Sequence, residues 1–248
     1  MFSVSAYVPM TRRRERFNVA GTDAFAPDLT TMIQDLHRGH VYIVDPDSRT
    51  RAACAGLLQS LGYDIREFEN GRGFLDAIDS GEPGCVVLES TLGDMTGAEI
   101  QAHLSSLGSP ITVVFVTRHG DVASAVASMR AGAAHYLVKP VREQQLLDIV
   151  NRAMRRSLDD AGRARARRAI VIHLASLTSR EREVLAQLVE GAHYDRVSDE
   201  LGITKRTVEA HRRRIMEKMG ARSLPQLIDQ LAQVGWLKLA SGQHSHGR

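Results

Sequence analysis

A carboxylate at the end of an apolar strand is the first place to look for chemistry in an α/β chain, because ligands gather outside the carboxyl ends of parallel strands. The stretch CVVLESTLGDMTG, residues 85–97, has that form. Cys85 to Leu88 read as a buried strand, and the chain from Ser90 reads as a loop leading into a helix. Glu89 stands between them. By residue type it could be a nucleophile, a metal ligand or a fixed charge. A second group lies far downstream. Residues 203–222 carry seven basic residues (Lys205, Arg206, Arg212, Arg213, Arg214, Lys218, Arg222) against two acidic ones, Glu209 and Glu217. Val208, Ile215 and Met219 share one side of a helix there, and Glu209, Ala210 and Arg213 share another. Arg213 can donate two bonds to a guanine edge, Glu209 can accept from cytosine, and the small Ala210 permits close approach to a groove. The other cations can neutralise phosphates and set register.

Positioning these groups requires two kinds of framework. From His40 the chain alternates short apolar runs with amphipathic ones. Strands are predicted at VYIVD (41–45), YDIREFE (63–69), CVVLE, ITVVFVT (111–117) and AHYLV (134–138). Helices are predicted at 48–62, 73–79, 97–108, 121–132 and 141–156. Five strands alternating with five helices imply a parallel sheet with right-handed crossovers. From about Leu174 the pattern is helical only. Thr178 with Glu181, and Ser223 with Gln226, form capping boxes, and Pro225 is tolerated in a first turn. A short helix at 194–201 ends at Gly202, and Thr204 caps the basic helix, 205–220. That is a four-helix unit with helix-turn-helix geometry.

The remaining segments are less regular. Residues 1–37 lack periodicity and read as a disordered extension, with TTMIQDLHR (30–38) as a possible short helix. The segment 157–173, and the Arg-rich run from residue 152 that overlaps it, read as a helical or semi-flexible linker with a solvated face. The tail 239–248, with its HSHGR, reads as disordered rather than as a metal site. His135 reads as an exposed strand-end residue.

Composition sets the class. The chain has 248 residues, enough for two modest domains, with 43% hydrophobic and 25% charged residues. No apolar run approaches a membrane span, so no membrane partner is expected. The two cysteines, Cys54 and Cys85, lack metal-type spacing and read as reduced core residues, consistent with a cytoplasmic protein. The net charge of +3 is mild, so the placement of charge matters more than its total.

Motifs in both halves resemble a known family. VYIVDPD, LESTLGDMTG, VTRHGDV and YLVKP resemble the receiver domain of FixJ-like response regulators. LTSREREVL and LGITKRTVEAHRRRIMEKM resemble the DNA-binding domain of the LuxR/FixJ class. The resemblance spans about residues 40–236 and implies a (βα)5 flavodoxin-like receiver at 38–156. An all-α helix-turn-helix domain follows at 174–238. It also implies a cytoplasmic transcriptional regulator rather than an enzyme, dimerising on a (pseudo)palindromic site of double-stranded DNA. RNA polymerase and a sensor kinase are the further partners it suggests.

Residues carried over by motif are as follows. Glu209, Ala210 and Arg213 match base-reading positions. Thr204, Lys205, Thr207, His211 and Lys218 match candidate phosphate contacts, and Arg206 and Arg212 belong to the same basic helix. Tyr194-Asp195 departs from the Asn-Lys often found in the family, removing a cation. In the receiver half, Asp45 fills the first acid position, while Pro46 fills the second and Asp47 follows it. Glu89 stands in place of the phosphoacceptor Asp, and Thr117 and Lys139-Pro140 remain. Tyr136 matches the aromatic switch residue. A Glu carboxylate sits one methylene farther out, so in-line geometry built around Asp is lost. Pro46 removes a carboxylate and a backbone donor, so Mg²⁺ is expected to bind weakly or not at all. No cofactor is expected. Glu89 either imitates part of a phosphorylated state through Lys139 and Thr117 or marks a decayed site. Two other readings compete: an interaction protein that sequesters a kinase or regulator, and a regulator phosphorylated at Asp45 or Asp47.

Overall fold

The computed structural model describes residues 39–237. The predicted N-terminal extension, the short helix at 30–38 and the tail lie outside the described residues. In the first half the elements run β1 (His40–Val44), α1 (Ser48–Gln59), β2 (Asp64–Phe68), α2 (Gly71–Ala77), β3 (Gly84–Leu88), α3 (Gly97–Ser106), β4 (Thr112–Thr117), α4 (Val122–Arg130) and β5 (His135–Val138). The five strands form one parallel sheet in the order β2-β1-β3-β4-β5. This is the flavodoxin-like architecture, and its order reverses between β1 and β3, the crevice where such sheets bind ligands.

Alternation along the strands sorts the core into two layers. Val41, Ile43, Cys85, Val87, Val114 and Val116 face one side and pack against Ala55, Leu58, Leu146, Ile149 and Met154. Tyr42, Val44, Val86, Leu88, Val113 and Phe115 face the other and pack against Phe74, Ile100 and Leu104. Every residue of β3 and β4 is buried, which is why both strands read as unbroken apolar runs. Cys54 and Cys85 are free thiols in the first layer, and burial pushes the Cys85 thiol up to about 12. His135 is half-buried at the start of β5 rather than exposed.

The largest departure from expectation is α5, Glu143–Ala175, one continuous helix of 33 residues. The sequence reading ends that helix at 156 and places a separate linker after it. Nothing in 157–173 breaks a helix: there is no Pro, and Ala and Arg are strong helix formers, so only Gly162 carries a penalty of about 1 kcal/mol. Asp160 adds ion pairs to Arg156 and Arg163 at helical spacing. Ser157 and Ala161 remain buried, and Ile170 enters the core of the second unit. The intervening Arg165–Arg168 run is exposed, as a solvated face requires.

The second unit comprises α6 (Ser179–Val189), α7 (Tyr194–Leu201), α8 (Lys205–Met219) and α9 (Leu224–Gln233). Thr178 and Glu181 form the anticipated capping box on α6. Leu177, Val184, Leu185, Val197, Val208, Ile215, Met219, Leu227 and Leu231 build a third core.

Candidate functional site

The first candidate site lies at the carboxyl edge of the sheet. Asp45 follows β1, Glu89 follows β3, Thr117 ends β4 and Lys139 follows β5. All three charged side chains are largely buried, at 7% exposure for Asp45, 8% for Glu89 and 14% for Lys139. The Lys139 ammonium donates to Asp45 Oδ2 and to Glu89 Oε2, the latter at 2.8 Å. Glu89 Oε2 also accepts from the Arg118 amide at 3.3 Å, and Oε1 accepts from the Ser90 amide at 2.8 Å and the Ser90 hydroxyl at 3.2 Å. Asp45 Oδ1 accepts from the Asp47 amide at 2.8 Å. Close packing fixes the loop beneath: a Cβ on Gly97 would sit 2.6 Å from the Phe115 ring and 3.0 Å from the Glu89 carbonyl oxygen.

The neighbouring acid is committed elsewhere. Asp47 is the N-cap of α1, accepting from the Arg49 amide at 3.2 Å and the Thr50 hydroxyl at 2.7 Å, and it pairs with the Arg118 guanidinium. Pro46 is exposed, and its side chain carries no ligand atom. Among the described residues, no group of three or more His, Cys, Asp or Glu is arranged to hold a metal ion.

Burial opposes the charge on Glu89, but the Lys139 ammonium and the Ser90 amide outweigh it and hold the carboxyl below its ordinary range. Burial likewise disfavours the Lys139 cation, and Asp45 and Glu89 outweigh that and raise it above the usual lysine range. Both shifts describe one buried, mutually neutralising cluster. Ser90 and Arg118 were absent from the sequence reading. Their signal was adjacency, each standing one residue past a site position.

Tyr136 is half-buried on β5, its ring 5.6 Å from that of Phe115, and its hydroxyl lacks a hydrogen-bond partner. Beside it, Val122, Val126 and Met129 of α4 and Val138 of β5 are exposed, 82% in the case of Val122.

The second candidate site is α8. Gly202 closes α7 in the left-handed region at φ 62°, and a turn of residues 202–204 leads into α8. Thr204 caps α8 by accepting from the Thr207 amide at 3.2 Å, and the two threonine hydroxyls lie 2.8 Å apart. Amides and hydroxyls at a helix N-terminus suit a phosphate. Val208, Ile215 and Met219 are buried, so Arg206, Glu209 and Arg213 project away from the core and are exposed, with Ala210 between them. Arg212 and His211 are half-buried on the flanks, and His211 Nδ1 has no partner.

Two of the cations carried over as phosphate contacts are already engaged. Lys218 donates to the buried Glu181 carboxylate at 2.6 Å and to the Ser176 carbonyl at 3.2 Å, tying α8 to α6 and to the end of α5. It lies on the flank of α8 that faces α6 rather than on the outward face. Lys205 pairs with Asp195 of α7, both well exposed. The departure at 195 therefore does more than remove a cation, because it occupies one. Asp195→Asn is expected to tighten binding to duplex DNA severalfold and to steepen the dependence of log affinity on log salt by about one. Fluorescence-anisotropy titrations at several salt concentrations check this, and an unchanged slope refutes it.

Comparison with known proteins matches each half of the chain to a family. The family described as "Response regulator receiver domain" matches residues 41–151, and "Bacterial regulatory proteins, luxR family" matches residues 175–231. The chain is similar to the transcriptional regulatory protein TdiR of Thauera aromatica, 36% identical over 76% of this chain and 83% of that one. It is 32% identical to FixJ of Bradyrhizobium diazoefficiens, over 81% of this chain and 98% of that one. The tetrathionate response regulatory protein TtrR of Salmonella typhimurium is 38% identical over 76% and 89%. The structure of the response regulator StyR aligns with a TM-score of 0.72 at 33% identity, covering 79% of this chain and 99% of that one. A receiver-type sheet followed by a LuxR-type helical unit, together with relatives matched along most of their length, makes this chain a FixJ-type two-component response regulator, a DNA-binding transcriptional regulator rather than an enzyme of metabolism.

Proposed function

We propose that this regulator works without receiver phosphorylation and binds a (pseudo)palindromic DNA site as a dimer. The observation that carries the proposal is the Lys139 ammonium bonded to both Asp45 and Glu89 at the carboxyl edge of the sheet. A phosphoryl group needs a free carboxylate aligned for in-line attack. Both Glu89 oxygens are instead engaged by Lys139, Arg118 and Ser90. The residues present do not fit Mg²⁺, which requires near-octahedral oxygen ligation. Asp45 faces the lysine, position 46 is proline, and Asp47 caps a helix. Glu89 then acts as a permanent charge in place of a reversible one, and its bonds favour mimicry over decay.

The exposed apolar residues on α4 and β5 support pairing through that face. In α8, Arg213 and Glu209 read bases, while Thr204, Thr207 and the free cations hold phosphates. RNA polymerase is the partner in transcription, and a sensor kinase is the partner that a receiver surface would contact. Phosphorylation at Asp45 or Asp47 is disfavoured because both are bonded as described, and simple sequestration of a kinase leaves the outward basic face of α8 without a role.

The test is direct. Incubation of the full chain with acetyl phosphate and Mg²⁺, followed by intact-mass measurement, is expected to show no gain of a phosphoryl group. A stoichiometric adduct mapped to the receiver sinks the proposal.

A further inference from the structure

The two oxygens of Glu89 reach the loop after β4 by different routes. Oε2 accepts directly from the Arg118 amide at 3.3 Å. Oε1 accepts from the Ser90 hydroxyl at 3.2 Å, and Ser90 Oγ lies 2.6 Å from Thr117 Oγ1. Thr117 Oγ1 in turn lies 3.2 Å from the His119 amide, which donates to it. The ends of this chain set its direction. An amide can only donate and a carboxylate can only accept. The Ser90 proton therefore points to Glu89, the Thr117 proton to Ser90, and the His119 N–H to Thr117. Each hydroxyl donates once and accepts once. Thr117 is fully buried and Ser90 half-buried, so neither bond has full access to water as a substitute.

We propose that Ser90 is a positioning residue that extends the Glu89 carboxylate to Thr117, so that one side chain anchors two consecutive backbone amides, 118 and 119. Those amides lead into Asp121, the N-cap of α4, whose side chain accepts from the Ser124 amide at 2.9 Å. Ser90 thereby fixes the entry to α4, and with it the face that carries Val122, Val126 and Met129, without any input signal. The inference rests on the reading of Glu89 as a permanent carboxylate, but it concerns the untreated protein and is tested separately.

The experiment is amide-resolved hydrogen exchange by NMR on the full chain. Ser90→Ala is expected to speed exchange of the His119 amide about tenfold or more while the Arg118 amide stays protected. Thr117→Val, nearly isosteric, breaks the same chain one link farther along and is expected to give the same pattern. Ser90→Thr keeps the hydroxyl and is expected to restore protection at His119. Unchanged His119 exchange in Ser90→Ala overturns the proposal, as does an equal rise at both amides, since general loosening would not spare Arg118. A phosphoryl adduct in the separate mass assay would defeat the phosphorylation-independent reading and leave this exchange pattern standing.

Discussion

Lys139→Met is expected to lower the stability of the receiver domain by about 3–5 kcal/mol at neutral pH, because it leaves Asp45 and Glu89 as buried carboxylates with no cation between them. The pH dependence follows from the directions of the shifts. Glu89 titrates below its ordinary range in the folded protein, so its contribution is present above that range and is lost as pH falls through the lowered value. Lys139 titrates above its ordinary range, so its contribution is present below that range and is lost as pH rises through the raised value. At neutral pH both contributions are complete. In the variant Glu89 loses the cation that holds its proton off and takes one up more readily, so the deficit relative to the parent should shrink in mild acid. Urea unfolding followed by circular dichroism at neutral and mildly acidic pH measures this. Trp236, the single tryptophan, packs in the helical unit and serves as an internal control, since its transition should shift far less. A loss under about 1 kcal/mol at neutral pH would mean that the cluster behaves as a hydrated surface pair.

Arg213→Ala is expected to reduce discrimination between the operator and unrelated duplex by about tenfold to a hundredfold, corresponding to about 1–3 kcal/mol. The affinity for unrelated duplex should change little. Arg213 is exposed on the outward side of α8, flanked by Ala210, where a bidentate contact to a base edge is sterically open. Lys218 provides the contrast. Lys218→Met should destabilise the helical unit by stranding Glu181, which is 4% exposed, and weaken binding to every sequence alike through that loss of structure. Competition titrations with operator and scrambled duplex, alongside thermal unfolding of both variants, separate the two effects. Unchanged site preference in Arg213→Ala would mean that bases are read from another face.

The amino-acid sequence by itself determined the element order, the buried strands and the basic helix. Apolar runs such as 111–117 and the capping residues Thr178, Thr204 and Ser223 act locally, so their consequences are legible one residue at a time. It also determined that Asp45, Glu89 and Lys139 meet, because parallel strands bring their carboxyl ends to one edge. The tertiary structure decided what that meeting does. Whether Asp47 faces inward depends on whether it caps α1, and whether Lys139 stays free depends on distances across three strands. The participation of Ser90 and Arg118 depends on loops whose conformation no periodicity encodes. The same holds in the helical unit. Lys205 and Lys218 carry the same charge in sequence as any surface lysine, and only packing brings Asp195 and Glu181 within reach of them. The run 157–173 shows the boundary from the other side. Its Arg and Ala content permitted either a linker or a helix, and the burial of Ser157, Ala161 and Ile170 at both ends, which local propensity cannot foresee, made it one helix.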